Sequence, residues 1–405
     1  MSLWHLVSLV VATPLVLFSV RRLLFTVVAA RTPVPSAAPP SLTHRPRMLV
    51  LIPCRNDGAL LPELIQALLA NGYPHEALRI LILDDGSTDA SPAIIARLAQ
   101  PPVGFIRLWP NRGKAAALNA GLAAEPWGDI VVVYDADHRP EPGGLAALAA
   151  AFADPTVGAV SGRTEARNAL VSPMAYYSAI ERRLHQRLTM VAKDQLNLAP
   201  AILGSHCAYR RTALEAVGGF TAGAFLEDTD LTVRLAAAGW RTRYLETVPA
   251  WDEVPTTVAA YWRQHLRWGR GFQDVTVAQS RRLWAAPLPW PLRLELFLFS
   301  LGYLDRPALL LGMGLLVSDH LFGTDFGFPL WFLLAVLLLP YLQIVAVLQR
   351  TRAGWAWWIR LPLIALLFPA DILVAVHSTL ATLFRRPRRW TTTPRHTRSS
   401  SFSDA

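Results

Sequence analysis

Two carboxylates one residue apart, Asp135 and Asp137, follow directly on the apolar run Ile130-Val131-Val132-Val133-Tyr134. Such a run reads as a buried strand, and the acidic pair sits where that strand would emerge from a sheet. Residues i and i+2 of a strand point to the same side, so both side chains can address one ion. Carboxylate oxygen is the ligand that Mg2+ or Mn2+ prefers, commonly while the ion also holds a substrate diphosphate. Surface acidic pairs are frequent, however, and the spacing alone says little.

Neighbouring motifs give it meaning. Arg79 to Leu83 reads as a second buried strand and runs into the turn sequence Asp84-Asp85-Gly86-Ser87-Thr88-Asp89, while Met48 to Ile52 reads as a third and ends at Pro53-Cys54-Arg55-Asn56-Asp57. Amphipathic helical stretches, Leu60 to Leu69 and Ala90 to Leu98, lie between them. This alternation predicts β/α units and a largely parallel sheet. In such sheets ligands bind beyond the carboxyl ends of the strands, where all three polar motifs fall. Pro53, Asn56, Asp84 and Asp85 are therefore candidates for donor binding. A carboxylate there suits the N–H of a uracil or the hydroxyls of a ribose; a capping aspartate in a tight turn would account for one of Asp84 and Asp85, but not both.

Asn111-Arg112-Gly113-Lys114 precedes a helical run, Ala115 to Ala124, which places backbone N–H groups and the Lys114 ammonium where phosphate is favoured. The segment lacks the spacing of a P-loop, and no Gly-x-Gly-x-x-Gly follows an early strand, which argues against a nicotinamide oxidoreductase. Further on, Glu227-Asp228-Thr229-Asp230 opens a helix that stops at Gly239. Asp228 can serve there as general base for an attacking sugar hydroxyl, with Glu227 beside it; as simple acidic charges at a helix N-terminus these residues would need no such role. Gln264, Arg267 and Trp268 then fall on neighbouring faces of one helix, offering an indole platform for a sugar and a guanidinium for a diphosphate. A lone Trp268 would equally suit a membrane interface.

In order, Asp84-Asp85, Asp135-Ala136-Asp137, Glu227-Asp228 and Gln264-x-x-Arg267-Trp268 resemble the signature of membrane-bound family-2 glycosyltransferases, which include cellulose, hyaluronan, chitin and poly-N-acetylglucosamine synthases. The resemblance spans roughly residues 47 to 275. It implies an α/β, nucleotide-sugar-binding (GT-A-like) fold with a mixed, mostly parallel sheet flanked by helices. It also implies a UDP-sugar donor, a divalent metal and inversion at the anomeric carbon. Carried over residue by residue, Asp85 would contact uridine, Asp135 and Asp137 the ribose and the metal-bound diphosphate, and Asp228 would be the base. Gln264, Arg267 and Trp268 would hold the acceptor end and the leaving diphosphate.

Departures from the pattern are Leu226, where the family often has Thr, and Gly204-Ser205-His206-Cys207 in the segment that usually lines the acceptor pocket, which makes His206 an acceptor-side candidate. Trp390-Thr391-Thr392-Thr393-Pro394-Arg395 resembles a tail that some relatives fold over the site. No counterpart of the cyclic-nucleotide-binding domain of bacterial cellulose synthase is evident.

Composition points to lipid independently. The 405 residues are 53% hydrophobic and only 17% charged, with mean hydropathy +0.30, more apolar than soluble domains. Leu3 to Val20 is long enough to cross a bilayer and is followed by Arg21 and Arg22, which predicts a retained anchor with its N-terminus outside; the alternative is a signal peptide cut after Val28-Ala29-Ala30. The expected organisation is an anchor over 1–30, a Pro-rich linker over 31–46, a cytoplasmic glycosyltransferase domain over 47–285, transmembrane or interfacial helices over 286–384 and a basic tail over 385–405. Three apolar segments, Leu294 to Val317, Pro329 to Leu348 and Leu361 to Phe384, create a parity problem. If all three cross, Arg385 to Arg389 lands outside, against the positive-inside bias. Either the first segment, with Glu295, Asp305 and Arg306, or the last, with Pro369 and Asp371, should break.

The net charge of +10 does not imply nucleic acid, because the arginines cluster beside apolar segments where anionic headgroups account for them. Cys54 and Cys207 form no disulfide framework and no zinc spacing. The expectation is a multi-pass plasma- or inner-membrane enzyme that extends a β-linked polysaccharide from a UDP-sugar, with an accessory export subunit as a compatible partner. A non-processive enzyme acting on a lipid acceptor is the alternative within the same fold. A non-catalytic nucleotide-binding membrane subunit is the alternative outside it.

Overall fold

The computed structural model describes residues 3–35, 45–324 and 326–384. Most of the Pro-rich linker, the basic run Arg385 to Arg389 and the Trp390 to Arg395 motif lie outside these residues.

Eight strands form one sheet: β1 (Met48–Cys54), β2 (Leu78–Asp85), β3 (Val103–Leu108), β4 (Ile130–Val133), β5 (Arg139–Pro140), β6 (Val157–Ala166), β7 (Cys207–Arg210) and β8 (Arg241–Asp252). Their order is β3-β2-β1-β4-β7-β6-β8-β5. Four of the seven pairings are parallel and three antiparallel, so the sheet is mixed as expected. The apolar runs of β1, β2 and β4 form its centre because both faces are covered, and β4 is buried at every residue. Register matters most for chemistry. Met48 pairs with Leu78 and with Ile130, and Cys54 pairs with Asp84, so β1, β2 and β4 deliver Pro53, Asp84-Asp85 and Asp135 to the same edge. β7 runs antiparallel to β4 with Val133 opposite Cys207, and this brings the Gly204-Ser205-His206 turn to that edge as well.

In chain order the first helices are α1 (Leu3–Arg31), α2 (Leu61–Leu69), α3 (Ser91–Leu98), α4 (Lys114–Ala124), α5 (Gly144–Ala150), α6 (Pro173–Leu184), α7 (Val191–Gln195), α8 (Arg211–Ala216) and α9 (Glu227–Ala237). Then come α10 (Val258–Ala285), α11 (Trp290–Ser300), α12 (Asp305–Phe322), α13 (Leu330–Arg350), α14 (Trp355–Trp358) and α15 (Pro362–Leu383). Three of these, α1, α13 and α15, are long and apolar enough to cross a membrane, and α11 with α12 would make a fourth span bent by 72°.

The N-terminal helix runs from Leu3 to Arg31, past the apolar span that ends at Val20, and Arg21 and Arg22 are paired within the protein: Arg21 bonds both oxygens of Glu295 at 2.6 Å, and Arg22 pairs with Asp305. The break in the C-terminal region lies in the first segment, between Ser300 and Asp305, and α15 continues through Pro369. A helix that restarts at Asp305 places a carboxylate in its first turn, where the macrodipole favours it. Charged side chains in such a region are stable only when paired, and the pairs Arg21–Glu295 and Arg306–Asp371, the latter at 3.0 Å, tie α1 to α11 and α12 to α15.

Candidate active site

Tyr134 and Asp135 continue from β4 into a loop fastened to the Gly204 turn. The Asp135 N–H donates to Ser205 Oγ at 2.9 Å, and the buried Tyr134 hydroxyl meets His206 Nδ1 at 2.7 Å. From α4, Lys114 Nζ reaches Asp135 Oδ1 at 2.8 Å, the Gly204 carbonyl at 2.9 Å and Glu227 Oε1 at 3.3 Å. One ammonium thus links the two acidic motifs, which are 92 residues apart in the chain. Burial opposes its charge, but Asp135 and Glu227 outweigh burial and hold its pKa above the ordinary lysine value.

Asp137 is buried, and its Oδ1 lies 3.1 Å from His138 Nδ1. Donor atoms of Asp135, Asp137 and His138 all fall within 4.8 Å of one another. Two hard carboxylates and an imidazole suit Mn2+ or Mg2+, and the mixed O/N set leans toward Mn2+. His138 is therefore a third candidate ligand that the sequence reading passed over; its position next to the second aspartate was the available signal. Burial disfavours its charged form, yet Asp137, Asp252 and Asp135 raise its pKa overall.

Asp84 and Asp85, adjacent in sequence, part company. Asp84 is almost fully buried, its Oδ1 accepts the Ser87 N–H at 3.0 Å, and it does not line the cleft. It is the turn-capping member of the pair, and its assignment to donor binding is corrected accordingly. Asp85 does line the cleft and accepts the N–H groups of Arg112 and Gly113, both at 2.8 Å, as well as the Asn111 amide. Pro53 and Asn56 stand on the same rim, and Asn56 Oδ1 accepts the Thr88 N–H at 2.8 Å.

The opposite wall is α9 and α10. Asp228 accepts its neighbour Thr229's N–H at 2.6 Å and presses against Gly204, where a Cβ would come within 2.7 Å of Asp228 Oδ2. With φ of +73° as well, only glycine is unstrained at 204. Burial, then Glu227, raises the Asp228 pKa to about 7 against the opposing pull of Lys114. Gln264, Arg267 and Trp268 all line the cleft from α10, so Trp268 sits on its wall, with its ring edge-to-face with His265 at 4.8 Å.

His206 is the second correction. Both of its ring nitrogens are engaged, Nδ1 with Tyr134 and Nε2 with the Val248 carbonyl at 3.2 Å; burial lowers its pKa to about 3, and it does not line the cleft. It packs where Gly162 leaves room, since a Cβ there would lie 2.3 Å from His206 Nε2. Gly162→Ala should therefore cost about 1–3 kcal/mol of stability through overpacking, measured as a lowered thermal midpoint. An unchanged midpoint would refute the packing role.

The sequence matches the family described as glycosyltransferase-like family 2 over residues 46–271. A beta-monoglucosyldiacylglycerol synthase of Synechocystis sp. is 32% identical over 282 residues, covering 66% of this chain and 57% of the relative. A poly-beta-1,6-N-acetyl-D-glucosamine synthase of Staphylococcus aureus is 29% identical over 230 residues, covering 56% and 54%. The chain thus spans less than two thirds of the length of either relative. Among solved structures, a mannosyltransferase of Pyrobaculum calidifontis in complex with GDP-mannose and Mn2+ superposes with a TM-score of 0.63 at 22% identity, over 95% of this chain and all of the other, which establishes a shared fold.

Proposed function

Because the chain belongs to the glycosyltransferase-like family 2, we propose that it is a membrane-embedded hexosyltransferase. It would move a sugar from a UDP-sugar, with inversion, onto an acceptor hydroxyl delivered from the helix side of the cleft. The observation that carries this reading is Lys114, which joins the Asp135 carboxylate to Glu227 beside Asp228 and so sets a diphosphate site against a base. Asp85 would take the uracil N–H in exchange for a loop N–H, and Asn56 would shape the rim. Asp135, Asp137 and His138 would hold Mn2+ or Mg2+, which when bound neutralises charge on the departing diphosphate. Arg267 and Gln264 face that diphosphate, and Trp268 offers a flat apolar face to the acceptor. Asp228 takes the acceptor proton as its oxygen attacks the anomeric carbon.

The relatives compared include one named for a lipid product and one named for a polymer, so both acceptor classes are compatible with the family. A cytoplasmic catalytic domain is the orientation this reading favours, on the following contacts. Arg350, at the end of α13, bonds Glu246 on β8 at 2.7 Å and the carbonyls of Ala29 and Thr32, so the arginine-bearing ends of α1 and α13 lie against the sheet domain. Positive charge at that end supports an inner-face orientation.

The test is UDP release by detergent-solubilised protein with Mn2+ or Mg2+ across several UDP-sugars. With one donor, the rate should rise with pH through about 7, because Asp228 acts only when deprotonated and its raised pKa keeps it protonated below that point. A pH-independent rate between 5.5 and 8.5, roughly one and a half units either side, would remove Asp228 as base.

A further inference from the structure

The cleft does not stop at Trp268. It belongs to a cavity of about 1620 Å3, well beyond the roughly 300–1,000 Å3 of ordinary small-ligand sites. Past Tyr303 the cavity enters the helices, where its walls are mostly apolar, with Leu15 and Phe18 of α1, Leu309 of α12, Val336 and Ile344 of α13 and Phe368 of α15, and with Ser19 and Gln343 as polar members. A polar collar separates the catalytic part from this apolar chamber. In it Arg22 pairs with Asp305, and Arg306 spans Asp305 at 2.8 Å and Asp371 at 3.0 Å. Two guanidiniums meet two carboxylates, so these four residues leave no surplus charge.

The far end of the chamber is closed. Val11, Phe328 and Leu333 pack with Leu15, Leu309 and Val336 in a buried cluster, and the Phe328 ring lies so near Gly312 that a Cβ there would come within 3.1 Å of it. Among the described residues, the cavity touches no α1 residue before Leu15, no α12 residue after Leu309 and no α13 residue before Val336. Open at the nucleotide and blind within the helices, the space has one polar and one apolar end.

We propose that this chamber holds the hydrocarbon of an uncharged, hydroxyl-bearing lipid, and that this lipid is the sugar acceptor. The assignment rests on the glycosyltransferase reading and narrows its acceptor. A polysaccharide threaded through the helices would meet a packed end. A lipid phosphate would bring an ionised oxygen, which needs no base, to a cleft that presents the Asp228 carboxylate. A neutral lipid alcohol needs both features present: its oxygen bonds the anomeric carbon as the bond to the diphosphate breaks, its proton passes to Asp228, and UDP leaves.

The experiment offers a radiolabelled UDP-sugar, Mn2+ and the purified full chain three acceptors separately: dioleoylglycerol, undecaprenyl phosphate and soluble oligosaccharides. Lipid-extractable product with a single added sugar is expected from dioleoylglycerol. Leu309→Trp and Val336→Trp, which fill the chamber, should shift preference from dioleoylglycerol toward dioctanoylglycerol by at least about tenfold in kcat/KM, a ratio that cancels any loss of folded enzyme. A diacylglycerol with a diazirine near the chain end should cross-link to α12 or α13 whether or not the variants fold. A lengthening water-soluble product, preference for undecaprenyl phosphate, or unchanged chain-length preference in both variants would overturn the proposal while leaving the transferase intact. No UDP release with any donor and either metal would instead overturn the transferase reading and this inference with it.

Discussion

Asp228→Asn should bind UDP-sugar and metal nearly as tightly as the wild type and yet lose transfer by about 10²–10⁴-fold in kcat. The amide keeps the shape of the side chain and its contact with the Thr229 N–H, and Gly204 still leaves it room. What disappears is the ability to accept a proton. Asp228 sits beside Glu227, and Lys114 bonds Glu227 rather than Asp228, so the exchange leaves the Lys114 to Asp135 link in place. Isothermal titration of UDP alongside turnover separates the two effects. Retained turnover would show that proton removal is not the role of this carboxylate, and lost UDP affinity would show that it belongs to the donor site.

Asp137→Ala should act the other way, weakening metal-dependent UDP binding on the order of 100-fold, or about 2.7 kcal/mol. Asp137 is buried and faces His138, so its removal takes one of three convergent donors and leaves the imidazole without the carboxylate that orients it. Metal-free UDP binding, which depends on the rim around Asp85, should change little. Equal UDP affinity in wild type and variant with Mn2+ present would remove Asp137 from the metal site. His138→Ala should follow the same direction with a smaller effect, because both carboxylates remain.

Much of the site was legible in the chain because the motifs lie at strand ends, where apolar runs stop and acidic pairs begin. Asp135 and Asp137 after β4, and Asp85 at the end of β2, needed only the length of a buried run to be placed. Asp84 could not be told from Asp85 in this way. The two differ only in which side chain turns back to the Ser87 N–H and which faces the cleft. His206 misled because a rare residue in a functional segment reads as function, whereas the room made by Gly162, 44 residues earlier, makes it a packing residue. Strands β6, β7 and β8 went unread, since glycine, serine and charged residues interrupt the apolar pattern that marks a strand.

By itself, then, the sequence determined the chemistry: which carboxylates, which cation and which aromatic helix could act on a nucleotide sugar, and that apolar helices would accompany them. Those properties are local, set by residue type and by periodicities of two and 3.6. The tertiary structure alone decided which groups meet. It set Lys114 against both Asp135 and Glu227, bent the chain between α11 and α12 so that Asp305 and Arg306 could pair with Arg22 and Asp371, and closed the inner chamber with Phe328 against Gly312. Such contacts join residues tens to hundreds of positions apart. They depend on the summed packing of the whole chain, and no window of sequence contains that sum.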